Sequence, residues 1–147
     1  MIVLDTNAYI SSLRELTEAG QVVNVKVFGG SMVPFLGDGR DEVLIKKPDR
    51  DLQVGDVVFF QRDNGRFILH RIWKKRPEGY YIVGDSQQEI EGPIRDEQIF
   101  ALVIKAKRKG KWVGPGDFWW EFFEKVWIHM IPFRRWLIKG YTFIRKG

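Results

Sequence analysis

The chain contains no cysteine in 147 residues, which excludes disulfides and thiolate metal sites. Histidine is scarce as well. His70 and His129 are the only two, and without cysteine beside them neither a zinc site nor any other metal or cofactor is expected. Met1-Ile2-Val3-Leu4-Asp5 offers neither a basic n-region nor an apolar h-region, so no secretory signal is expected. The longest aromatic stretch, Phe118 to Ile138, is interrupted by Glu121, Glu124, Lys125, His129, Pro132, Arg134 and Arg135. Such charges each cost about 3 kcal/mol at mid-bilayer, so no spanning helix is expected. No repeat and no low-complexity linker occurs. Neither charge sign dominates: 24 basic residues are interspersed with 19 acidic ones, and the net +5 reads as a solvated surface, not a nucleic-acid footprint. What is present is an apolar content of 44% and an aromatic content of 14%, enough to exclude disorder and to build one substantial core.

Periodicity predicts a mainly β fold. Asp5, Thr6 and Asn7 offer N-caps, Ile10, Leu13 and Leu16 a helical stripe and Gly20 a C′ residue, so a short helix is expected over residues 6–19. Val22 to Phe28, Glu42 to Lys47, Val57 to Gln61, Phe67 to Trp73, Tyr80 to Val83 and Ile99 to Ile104 read as five or six short strands. Asp63-Asn64-Gly65 signals a hairpin with a type I′ turn between the third and fourth. The expectation is a twisted sheet or partly open barrel. After Gly114-Pro115-Gly116 the pattern changes, and Trp120, Phe123, Trp127 and Met130 or Ile131 form a helical stripe stopped by Pro132. A domain over residues 1–108, with its β core at 20–108, is thus followed by an aromatic and basic helical extension over 109–147.

The first strand runs into Gly29-Gly30-Ser31-Met32-Val33-Pro34, a glycine-rich bend in which a substrate backbone has room to approach the serine. Pro34 ends strand pairing there. His70 follows on a later strand, 39 positions on. A serine at a tight bend and a histidine on a strand are the minimum for a base-activated nucleophile.

Five segments, in order, resemble the signal peptidase I superfamily, which includes the LexA-type self-cleaving repressors. Ser31-Met32-Val33-Pro34-Phe35-Leu36 is similar to its nucleophile motif. Gly39 to Lys46 and Gly55-Asp56-Val57-Val58-Phe59 are similar to the two following blocks, Leu69-His70-Arg71-Ile72 to the base segment and Val83-Gly84-Asp85-Ser86 to the Gly-Asp-Asn box. The resemblance spans roughly residues 22–104. A histidine at the base position is similar to the endoplasmic-reticulum, archaeal and sporulation-associated branch, where others use lysine. It implies a LexA- or signal-peptidase-like sheet, Ser31 as nucleophile and His70 as base. It also implies a carboxylate shortly after the Gly-Asp box: Glu91 is the best match, with Asp85 and Glu89 as alternatives. Relatives usually have aspartate there. The oxyanion donors implied are the Ser31 backbone N–H and a second group, often a hydroxyl two residues earlier. That position is Gly29, which leaves only backbone donors at Gly29, Gly30 and Ser31.

Each residue also has a plainer reading. Ser31 is a common turn residue, His70 a possible structural strand residue, and Asp56 and Asp85, each after glycine, fix turns as readily as they touch substrate. Arg71 is placed to pair with a carboxylate near the base, and His129, in no motif, reads as a helix-surface or interface residue. The functional expectation is a serine endopeptidase maturing a peptide or protein precursor through an acyl-enzyme, located in the cytoplasm. The C-terminal aromatic segment is expected to pack on the core, to lie on a membrane surface or to dock a protein. Two alternatives stand. One is a LexA-like regulator that cuts itself at Ala19-Gly20, only 11 residues before Ser31 and with too little chain ahead for a helix-turn-helix. The other is a non-catalytic peptide-binding module of the same fold.

Overall fold

A computed structural model describes residues 6–134 and 137–139. Helix α1 spans Thr6–Glu18. Eight strands follow: β1 Val23–Lys26, β2 Glu42–Lys46, β3 Val57–Gln61, β4 Phe67–Arg76, β5 Gly79–Val83, β6 Glu91–Ile94, β7 Ile99–Arg108 and β8 Lys111–Val113. Helix α2 covers Phe118–Lys125 and leads into two short 3-10 turns, Trp127–His129 and Ile131–Phe133.

The strands form one antiparallel sheet in the order β1-β2-β7-β3-β4-β5-β6, with β8 paired to β7, and the sheet does not close into a barrel. The fold is therefore mainly β with a helix at each end, as periodicity predicts, but with eight strands instead of five or six. The two unexpected strands are short. β6 contains Gly92 and Pro93, which the strand pattern disfavours, and it is held by pairing to β5. β8 exists because the tight reversal at Lys109-Gly110 folds it back on β7.

The β3–β4 hairpin forms at the expected place with a different turn. Gly65 has φ +89° while Asp63 and Asn64 stay at negative φ. The Arg62 N–H donates to the Arg66 carbonyl at 2.7 Å, enclosing three loop residues, not two. A three-residue loop needs only one left-handed residue, and the glycine supplies it. In α1 the inward stripe is Ile10, Leu13 and Thr17, whereas Leu16 is exposed. The buried Thr17 hydroxyl is satisfied by donating to the Arg14 carbonyl at 2.8 Å. The expected N-caps at Asp5 to Asn7 lie at or beyond the edge of what is described.

Two apolar clusters fill the two faces of the curled sheet. The larger joins Leu13 of α1, the bend residues Met32, Phe35 and Leu36, strand residues such as Val43 and Phe59, and Phe123 and Trp127. The expected aromatic stripe thus packs on the core, with Trp120 and Met130 half-buried beside it. The helix stops after Lys125 instead of running to Ile131, and the 3-10 turns keep Trp127 and Ile128 buried. The basic tail beyond Lys139 lies outside the described residues, and no described helix is long and apolar enough to cross a membrane.

Candidate active site

Strands β1 and β4 are separated by three others in the sheet, yet residues of both line one cleft of about 410 Å³. Curling of the sheet brings the bend after β1 opposite β4, so that Ser31 and His70 line the same space. Val25, Val27, Phe59 and Leu69 form its apolar walls, and Tyr9 and Ile10 of α1 contribute as well.

The bend is held from both sides. Met32, Phe35 and Leu36 are almost completely buried, anchoring the segment that follows the serine. The carbonyls of Pro34 and Phe35 accept from Arg108, and the Gly29 N–H donates to Asp38 Oδ1 at 2.8 Å. This last bond changes the expected oxyanion set: the Gly29 N–H is already engaged, whereas those of Gly30 and Ser31 meet no acceptor among the described residues. Across the cleft, the Ser86 N–H donates to the Ser31 carbonyl at 2.9 Å and the Ser86 hydroxyl to the Gly30 carbonyl at 2.8 Å. A Cβ on Gly84 would stand 2.6 Å from the Ser31 oxygen, so the box can approach the bend this closely only with glycine there.

His70 is buried, with 4% of its surface exposed. Its Nδ1 lies 3.8 Å from Glu91 Oε1, too long for a hydrogen bond, and has no other partner. Glu91 itself is clasped by Arg62, whose Nη2 and Nε reach its two oxygens at 2.7 and 3.0 Å. Burial pushes the His70 pKa down to about 4, with Glu91 and Asp85 pulling it up and Arg62 adding to the depression. The ring is therefore neutral at pH 7. No hydrogen bond joins Ser31 Oγ to the ring.

The three candidate carboxylates occupy different places. Glu91 faces His70. Asp85 is fully buried and bidentate to Arg71 at 2.8 and 2.9 Å, while Arg71 also donates to the Gly55 carbonyl. Arg71 thus pairs with a carboxylate of the box, and Asp85 is committed to that pair. Glu89 is exposed in the loop between β5 and β6. Asp56 accepts the Gln53 N–H and pairs with Arg50, a turn-fixing role. Gly55, at φ +98°, lies where a Cβ would stand 2.5 Å from the Glu124 carbonyl, so α2 seats directly on this turn. His129 is exposed and does not line the cleft.

Sequence reasoning missed Arg62, Ser86 and Asp41. Arg62 carries no motif, although it sits just before the hairpin turn that swings it toward β6. The fully buried Asp41 accepts from the Gly37 and Lys109 N–H groups and from Arg40. Burial acts to raise its pKa, and these donors outweigh that and lower it. Its buried carboxylate ties the bend segment to the β7–β8 reversal, a contact between residues 68 positions apart that no local pattern announces. Among the described residues no group of three or more histidines or carboxylates is placed to hold a metal ion.

Comparison with known proteins finds no matching family model, no similar curated protein and no similar solved structure.

Proposed function

We propose that this protein is a serine-type endopeptidase in which Ser31 is the nucleophile and His70 the base. The observation that carries the reading is the convergence of Ser31 and a buried, neutral His70 on one cleft, with Glu91 Oε1 3.8 Å from the ring's Nδ1. An extended peptide adds along the outer edge of β1, which among the described strands pairs only with β2. As Ser31 Oγ attacks the scissile carbonyl carbon, His70 takes its proton and then delivers it to the leaving amine. The acyl-enzyme formed on Ser31 is hydrolysed by water activated by the same ring. The Gly30 and Ser31 N–H groups receive the negative charge developing on the carbonyl oxygen. The Ser31–His70 hydrogen bond is one that the substrate complex closes, as is common in enzymes without ligand.

The resemblance to the histidine-type signal peptidase branch supports the same chemistry. A membrane surface is the favoured partner for the C-terminal aromatic face, where Phe118, Trp119 and Phe133 are 70%, 50% and 60% exposed and Trp119 lines a groove with Lys109 and Lys111. A second reading, a peptide-binding module without turnover, is supported by the absence of a Ser31–His70 hydrogen bond and by the low His70 pKa. Self-cleavage is less favoured, because Ala19-Gly20 is tied into the end of α1, the Ala19 N–H donating to the Glu15 carbonyl and the Gly20 N–H to the Thr17 carbonyl, and neither residue lines the cleft.

Acylation decides between the first two. A β-lactam or peptidyl phosphonate is expected to add its mass to a peptide containing Ser31, and Ser31→Ala to abolish both adduct and turnover. An unlabelled wild-type protein that still binds peptide makes it a binding module.

A further inference from the structure

The charged residues around the cleft narrow the class of peptide it takes. Three charged side chains line it, Lys26, Arg62 and Arg66, and all are cationic; no carboxylate is among the lining residues. Arg62 is neutralised by its two-point contact with Glu91. Lys26, at the end of β1, and Arg66, just before β4, are both exposed and form no ion pair among the described residues. The space between is apolar, and Phe28 stands at the mouth with 73% of its surface exposed. A single-sign charge pattern above low-dielectric walls concentrates field in the cleft and selects opposite charge in whatever enters.

We propose that the cleft recognises an extended peptide that seats apolar side chains against Val25, Val27 and Phe59 and presents acidic residues to Lys26 and Arg66. What then happens to the bound peptide rests on the peptidase reading; the recognition itself does not. An acidic flank gains attraction from two unpaired cations, while a basic flank meets repulsion from both. Because Lys26 and Arg66 are solvent-exposed, the discrimination is screened by salt over distances near a Debye length, ~10 Å at 0.1 M.

The test uses full-length Ser31→Ala protein and fluorescent peptides of alternating valine and alanine flanked by aspartates or by lysines, read by anisotropy. The acidic peptide is expected to bind about tenfold more tightly at low salt, with the gap narrowing as salt rises. Adding Lys26→Glu and Arg66→Glu is expected to reverse the preference, and Lys26→Gln with Arg66→Gln to abolish it; a thermal melt reports that each variant is folded. Equal affinity for both peptides, or an acidic preference that survives the charge reversal, overturns the inference. Acylation of wild-type Ser31 is scored separately. An acylated Ser31 with no charge preference sinks the acidic-peptide inference alone, and acidic selectivity without acylation sinks the peptidase reading alone.

Discussion

Burial drives the His70 pKa from its usual 6.5 to about 4, overcoming the upward pull of Glu91 and Asp85, while Arg62 adds to the depression. A base must be neutral to accept a proton, so the acid limb of activity should lie near pH 4 and not near 6.5. Stability follows the same proton. Between pH 6.5 and about 4 the unfolded chain binds a proton that folded His70 refuses, so stability is lost as pH falls through that window, by up to roughly 3 kcal/mol. Urea midpoints at pH 7 and pH 4.5 should separate further in the wild type than in His70→Gln, and equal separations would show that the ring is not held neutral by the fold. Glu91→Gln gives a second check. Removing the carboxylate withdraws an upward pull and leaves Arg62 unopposed, so the acid limb should move to still lower pH while kcat falls by orders of magnitude through loss of imidazolium stabilisation. A variant with unchanged kcat and pH profile would remove Glu91 from the mechanism.

At the scale of elements, the segment after β5 does two jobs with neighbouring residues. Gly84 and Ser86 grip the Ser31 bend, while Asp85 between them points into the core to meet Arg71 of β4, and its carbonyl accepts from Trp127. Asp85→Asn leaves the buried Arg71 guanidinium without its counter-charge, so a loss of about 3–5 kcal/mol in unfolding free energy is expected. Ser86→Ala should cost far less stability and slow acylation by loosening the bend. If denaturant curves show Asp85→Asn as stable as wild type, the pair is not what locks β4 to the box. Six of the strands and both helices were legible because alternation and turn residues are local signals, and Ser31 and His70 were singled out by the order of the motifs. The rest depended on distance. Arg62 reaches Glu91 only once the hairpin has paired, and Asp41 meets Lys109 only when β8 folds back. Leu16 turns outward because Thr17 takes the inward position, a choice made by packing and not by hydropathy. The end of α2 was misjudged for a similar reason: the aromatic stripe runs on past Lys125, but burying both Trp127 and Ile128 suits a tighter 3-10 turn.

For the whole molecule, the Ser31 bend lies between two recesses of different character. Ser31 and Met32 line the cleft, whereas Pro34, only three residues after the serine, lines an apolar groove of about 440 Å³ with Trp119, Phe122, Leu137 and Ile138. Lys109 and Lys111 border that groove, and Phe118, Trp119 and Phe133 extend outward with most or half of their surface exposed. Aromatic rings beside lysines suit the interface of an anionic bilayer, where rings seat at the headgroup level and each basic residue adds about 1 kcal/mol. Docked in this way, the protein would hold its serine close to the lipid surface, within reach of a chain emerging from it. Vesicles containing phosphatidylserine should therefore cosediment the protein, less so as salt rises, and neutral phosphatidylcholine vesicles should hold it weakly. Phe118→Ser with Trp119→Ser should reduce binding at least tenfold, since two exposed rings are lost while the buried Phe123 and Trp127 still hold α2 to the core. A double variant that binds as tightly as wild type, or a wild type indifferent to both vesicle types, would leave the aromatic face without a membrane role while the cleft chemistry stood unaffected.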